Sequence, residues 1–252
     1  GRTIWDGAMP GATPEFRRAT YDAMVDTLAA LHAVDVEAAG LGDYGKPGNY
    51  FARQIHRWSE QYRASETGPL PDMDALMTVL AERCPADDGS VALVHGDFRI
   101  DNLMFDPAQP KVIAIVDWEL STLGHPLADI AYGCILYHSD SESWGTLKGL
   151  DFRAAGIPDE DAYVAAYCRR TGRTSIPGFN VYLAFSMFRL ASIGQGVFKR
   201  NLVGIGNAPA SRDNSHTHHL ANTACAMKPG TLSLGNALTP ACAASFCSFS
   251  GR

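Results

Sequence analysis

With 252 residues, 46% of them hydrophobic and 19% charged, the chain has the make-up of a globular protein with room for one large domain or two small ones. A net charge of −6 and the lack of any Lys/Arg-rich run exclude the basic footprint that nucleic-acid binding requires. The six cysteines lie far apart with no C-x-x-C pair, which predicts free thiols in a reducing compartment, by default the cytoplasm.

The amino end, Gly1-Arg-Thr-Ile-Trp-Asp6, has neither an initiator Met nor an apolar signal core and reads as the interior of a longer chain. Thr13-Pro14-Glu15 then supplies an N-cap, a first-turn proline and an early acid. Phe16, Met24, Val25, Leu28 and Leu31 recur at helical spacing, so a helix is expected to about Val34. After Asn49, the stripe Phe51, Ile55, Trp58 and Tyr62 predicts a second helix that buries one face, and a third is expected over 72–82. Three helices ahead of any strand argue against a simple βαβ repeat.

The texture changes at Val91–Val94, which is short, apolar and β-prone, as are Leu103–Phe105 and Lys111–Val116. The turn chemistry of Asp106-Pro107 through Pro110 joins the last two into a predicted hairpin. Helices are expected over 126–138, over 159–171 with a stop at Gly172, and over 179–202, the last mostly apolar around its circumference but interrupted by Arg189. Beyond Gly204 charges are few and periodicity fades, so residues 1–203 are expected to form the catalytic region and 204–252 a poorly structured or aberrant tail. Residues 229–251 are uncharged but too interrupted by Gly, Ser, Thr and Pro to cross a membrane.

The chemistry concentrates between residues 93 and 119. His95, Asp97, Arg99, Asn102, Asp117 and Glu119 fall in loops after predicted strands, an arrangement in which rigid elements hold polar groups in place. Asp97 and Asn102 are separated as in the kinase catalytic loop H-R-D-x-x-x-x-N, with Gly96 where those enzymes have Arg. Phosphoryl transfer needs a carboxylate to orient the attacking hydroxyl, magnesium on the phosphates and positive charge for the transferring group. Asp97 is placed for the first task, Asn102 and Asp117 offer hard oxygen ligands for magnesium, Glu119 adds one directly or through water, and Arg99 neutralises charge. Taken singly, each has a plainer reading: loop aspartates form turns, Asn102 caps one, and His95 ties down a loop by hydrogen bonds. In the same terms His125 makes the turn before Pro126, and Phe98 and Trp118 pack. The combined spacing carries the case. His216, His218, His219 and Cys225 match no closed zinc pattern.

The run His95-Gly-Asp-Phe-Arg-Ile-Asp-Asn102, followed by Ile115-Val-Asp-Trp-Glu119 and Leu123-Gly-His-Pro-Leu-Ala-Asp-Ile-Ala131, resembles the aminoglycoside phosphotransferase and choline kinase family. Within it, the likeness is greatest to the phosphotransferase domains associated with acyl-CoA dehydrogenases. It extends over 1 to about 203, including Gly45-Lys-Pro-Gly-Asn-Tyr-Phe-Ala-Arg-Gln-Ile55 and Tyr182-Leu-Ala-Phe185. The resemblance implies an α+β fold, specifically a protein-kinase-like carboxy-terminal lobe, mainly helical, with a small β-hairpin region carrying the catalytic loops. It also implies ATP as phosphoryl donor, magnesium, Asp97 as catalytic base, Asn102 and Asp117 as metal ligands, and Asp129 as a buried brace for the catalytic loop. The acceptor it implies is a small-molecule hydroxyl: a hydroxyacyl compound, free or as a CoA thioester, with a small alcohol or aminoglycoside-like acceptor as the alternative.

A kinase-like enzyme also needs a β-rich amino-terminal lobe with a phosphate-covering loop, a strand Lys and a helix Glu. The chain shows no such set, and Lys46 and Lys111 are poorly placed to substitute. The amino-terminal lobe is therefore expected to be missing, leaving a fragment weak or inactive by itself whose partner is that lobe. Two other readings are a noncatalytic kinase-like binding module and a metal-dependent hydrolase built on His95, Asp97, Asp117, Glu119 and His125.

Overall fold

The computed structural model describes residues 1–139, 146–204 and 214–227. Helix α1 (Pro14–His32) starts where Thr13 Oγ1 accepts the Phe16 N–H at 3.2 Å, and its face Met24, Val25, Leu28 and Leu31 is buried. Helices α2 (Tyr50–Ser65) and α3 (Pro71–Glu82) follow, and the predicted stripe Phe51, Ile55, Trp58 and Tyr62 is buried throughout. Near the other end, α6 (Glu160–Thr171) is capped by Asp159 Oδ1 on the Ala162 N–H at 2.8 Å and ends at Gly172 in the left-handed region. It packs on α1, while α7 (Phe179–Leu202) lies against α2, α3 and the short α4 (Leu127–Gly133). By length and composition α7 is apolar enough to cross a membrane, but its middle is buried among these helices.

Between the helices lie two small antiparallel sheets. One has the order β1 (Arg2–Thr3), β3 (Leu103–Phe105), β4 (Val112–Ile115), and the other pairs β2 (Ala92–Val94) with β5 (Thr122–Gly124). Leu103 lies opposite Ile115 and Val94 opposite Thr122. Residues 95–102 therefore run from the second sheet to the first, and residues 116–121 run back. Because both strand pairs are antiparallel, the two loops start and finish at paired strand ends and must lie side by side. That is how stretches some twenty residues apart in sequence come to share one site.

The fold is mostly helical with small sheets, as the resemblance implies. It departs from expectation in three places. The helix predicted over 126–138 is an α-helix only to Gly133 and tightens to a four-residue 3-10 helix over Cys134–Tyr137. Strands β1 and β5 and the four-residue α5 (Phe152–Ala155) were not anticipated. The largest departure is in the segment expected to be poorly structured, where α8 (Ser215–Ala226) packs on α7 and α3 and buries Thr217, Leu220, Ala221 and Ala224. That is an i, i+3, i+4, i+7 stripe, but Thr and Ala carry three of its positions, so hydrophobicity alone hides it. The rest of that tail, 205–213 and 228–252, lies outside the described residues.

Leu220 is fully buried against α3 and α7. Leu220→Ala is expected to cost about 2–5 kcal/mol in urea denaturation. A loss near zero would mean that α8 contributes nothing to the folded core.

Candidate active site

The arrangement starts from Asp129, a fully buried carboxylate in the first turn of α4. Its Oδ2 accepts the His95 N–H at 2.7 Å and its Oδ1 the Gly96 N–H at 2.8 Å, while His32 Nε2, at the end of α1, lies 3.2 Å from Oδ2. His32 Nδ1 in turn meets the Tyr167 hydroxyl of α6 at 2.8 Å. Burial pushes the Asp129 pKa up, but the hydrogen bond and charge of His32 and the two amides outweigh it and hold the group below its ordinary value. Gly96 has φ +82°, and a Cβ there would stand 2.5 Å from the Leu120 carbonyl oxygen, so only glycine fits where the two loops touch.

His95 is the cross-link between those loops. Its buried ring accepts the Asp97 N–H at Nδ1, 3.2 Å away, and its Nε2 donates to the Val116 carbonyl at 2.9 Å, which defines the Nε2–H tautomer. Trp118 packs edge-on against it at 5.0 Å. Asn102 makes a second bridge: its backbone carbonyl accepts the Val116 N–H at 3.0 Å, and its Nδ2 donates to both the Asp97 carbonyl and Asp97 Oδ2 at 2.9 Å. With Nδ2 committed, Asn102 Oδ1 is the atom left to act as a ligand.

Asp97 is half-buried, and Arg99 Nε reaches its Oδ1 at 3.1 Å while Arg99 Nη2 lies 3.2 Å from Asp101 Oδ2. Arg99 thus sits between two carboxylates. Burial raises the Asp101 pKa, against the opposing charge of Arg99. Asp117 adopts φ 66°, ψ 60°, a left-handed conformation that aspartate tolerates better than most residues and that turns the chain out of β4. Asp117 and Glu119 are both exposed, unlike Asn102. Among the described residues no three His, Cys, Asp or Glu side chains gather as an all-protein metal cage. One amide oxygen and one carboxylate, with phosphate oxygens to complete the shell, suit magnesium better than zinc.

His125, read from the sequence as a turn residue, has that role: its Nδ1 accepts the Leu127 N–H at 3.2 Å, and its Nε2 faces Asp88 Oδ1 at 3.1 Å. With both nitrogens of His95 and of His125 engaged, a hydrolase that ligates metal through these histidines would have to break the contacts that hold its own loops. Three residues of the neighbourhood escaped the sequence reading: His32, Asp88 and Tyr132. His32 and Tyr132 close helical stripes and look like core there, and Asp88 lies in a turn-like Asp-Asp-Gly.

This mostly helical fold, with its pair of loops between two small sheets, is kinase-like. Residues 1–175 match the phosphotransferase enzyme family, APH, and the chain belongs to that family. It is 43% identical over 223 residues to acyl-CoA dehydrogenase family member 10 of Mus musculus, covering 87% of this chain but 21% of that protein, so it spans about a fifth of that relative's length. A solved Ralstonia eutropha protein, provisionally assigned as an aminoglycoside phosphotransferase, is 48% identical with a TM-score of 0.82, covering 89% of this chain and 70% of that one. The aminoglycoside phosphotransferase APH(4)-Ia, solved as a ternary complex with AMP-PNP and hygromycin B, shares the fold at 15% identity and a TM-score of 0.53, covering 90% of this chain and 71% of that one.

Since the folded Asp129 pKa is depressed, the unfolded chain binds more protons between the two pKa values, and lowering the pH favours unfolding there. Asp129→Asn is expected to cost about 3–5 kcal/mol at pH 7. The gap from wild type should be full above about pH 4 and shrink as the pH falls further, measured by urea denaturation across a pH series. A pH-independent gap would show that the Asp129 charge is not what holds the loop.

Proposed function

We propose that this chain carries the catalytic floor for magnesium-dependent transfer of the ATP γ-phosphoryl group to a hydroxyl of a small molecule, with hydroxyacyl compounds as the acceptors. The observation that carries this reading is the pair of cross-linked loops, in which Asn102 orients Asp97 directly and His95 ties Asp97 to the residue before Asp117. In it, Asp97 accepts or orients the proton of the attacking hydroxyl. Asn102 Oδ1 and Asp117 would hold magnesium, with Glu119 close enough in sequence to contribute through water. The metal, when bound, neutralises phosphate charge. Arg99, already on Asp97 and Asp101, supplies the nearby positive charge.

The AMP-PNP and hygromycin B complex on the same fold supports a nucleotide donor with a small-molecule acceptor. The acyl-CoA dehydrogenase relationship supports an acyl compound as that acceptor. A β-rich lobe covering the nucleotide would complete the donor side, so this chain alone is expected to turn over slowly. A noncatalytic module would not need the Asn102 to Asp97 hydrogen bond.

Asp97→Asn is expected to lower ADP release in the presence of a hydroxyacyl acceptor by about 100- to 10,000-fold with an unchanged melting curve. Asp117→Asn is expected to raise the magnesium concentration that gives half-maximal rate. Undiminished ADP release from the Asp97 variant in a coupled assay would overturn the assignment.

A further inference from the structure

Arg189 stands near the middle of α7 and is 4% exposed. Its Cζ lies 5.6 Å from the Trp58 ring centroid on α2 and 5.2 Å from that of Tyr132 on α4. Among the described residues it forms no ion pair and donates no hydrogen bond, and its remaining contacts are with aromatic rings. Two cation–π contacts offset only part of what a guanidinium loses on leaving water, so a buried arginine is ordinarily met by a carboxylate. Here none is present. The sealed polar atoms that lack a partner include none from Arg189, so the opening that leaves it slightly exposed reaches the guanidinium.

The location gives this vacancy of charge a use. Tyr132 is buried, and its hydroxyl feels both Arg189 and Asp97: burial raises its pKa, Asp97 raises it further, and Arg189 opposes the rise. Tyr50, at the start of α2, is likewise buried within the field of Arg189. The unpaired cation and the carboxylate that would orient the acceptor hydroxyl therefore flank the same tyrosine.

We propose that Arg189, framed by Trp58, Tyr132 and Tyr50, is the anion-binding residue of the acceptor pocket and takes a carboxylate or phosphate group of the molecule whose hydroxyl lies at Asp97. The planar fork of arginine matches either group through two parallel hydrogen bonds. The Trp58 and Tyr132 rings pack beside the guanidinium and restrict its orientation. This rests on the phosphotransferase reading of Asp97. The anion has two possible sources: the carboxylate of a free hydroxy acid, or a phosphate of its CoA thioester.

The test compares a medium-chain hydroxy acid as free acid, as methyl ester and as CoA thioester, on wild type and on Arg189→Met and Arg189→Lys, by calorimetric titration without nucleotide. The Met variant is expected to weaken binding of the anionic form by about 10- to 100-fold, the loss of a charge-assisted pair. The Lys variant, which keeps the charge without the fork, should fall between, and the methyl ester should bind wild type and variants alike. Whichever anionic form loses more identifies the source of the charge. Equal losses for anionic and neutral forms, or a wild type that binds the methyl ester as tightly as both the free acid and the CoA thioester, overturn the proposal. If the Met variant melts before it can be titrated, the Lys variant decides by the same criterion. ADP release by wild type with the same panel separates the two readings: charge-selective binding without turnover counts against the phosphotransferase reading, and turnover indifferent to residue 189 counts against the anion site.

Discussion

A fully buried carboxylate is unfavourable unless donors surround it, and Asp129 has three: the amides of His95 and Gly96 and the ring of His32. Those donors come from two separate parts of the chain and the carboxylate from a third, so satisfying one side chain fixes the end of β2, the last turn of α1 and the first turn of α4 relative to one another. The Tyr167 hydroxyl on His32 carries the network on to α6. A loop of polar residues otherwise free to wander is thereby held against the helical core by charge-assisted hydrogen bonds. Shape alone, through apolar packing, would not specify where Asp97 points.

From that anchor the site is assembled by cross-links between two loops. His95 reaches from one to the Val116 carbonyl of the other, and the Asn102 carbonyl takes the Val116 amide. Gly96 allows the loops to touch, since any side chain would meet Leu120. Asp97 and Asp117 are thus placed by neighbours that touch both loops. The left-handed backbone at Asp117 turns its carboxylate out to solvent while the residues before it stay paired in the sheet.

The helices supply the other wall. Packing of α2 and α4 on α7 brings Trp58, Tyr132 and Arg189 together and, among the described residues, leaves the cation without an anionic partner. A structure built only for stability would favour an apolar residue there. The proposed floor and the proposed acceptor wall both lie among the residues described.

Much of this was legible before any coordinates. Helices α1, α2, α3, α6 and α7 follow from apolar periodicity and end signals, because those interactions are local. The spacing of Asp97, Asn102 and Asp117 pointed to the proposed phosphoryl-transfer site for the same reason: a catalytic loop is a short contiguous motif. What the sequence could not show depends on partners far apart along the chain. The stripe of α8 is too weakly apolar to see until α7 and α3 cover it, and β5 is three residues long and exists only by pairing with β2. His32 looks like the end of a core helix until it meets Asp129 ninety-seven positions away, and Arg189 looks like an interruption in an apolar helix until α2 and α4 close around it. The sequence by itself determined the local elements and the chemistry of the loops. Only the tertiary structure decided which side chains are buried together, because burial, and the demand for partners that it creates, is a property of the packed chain.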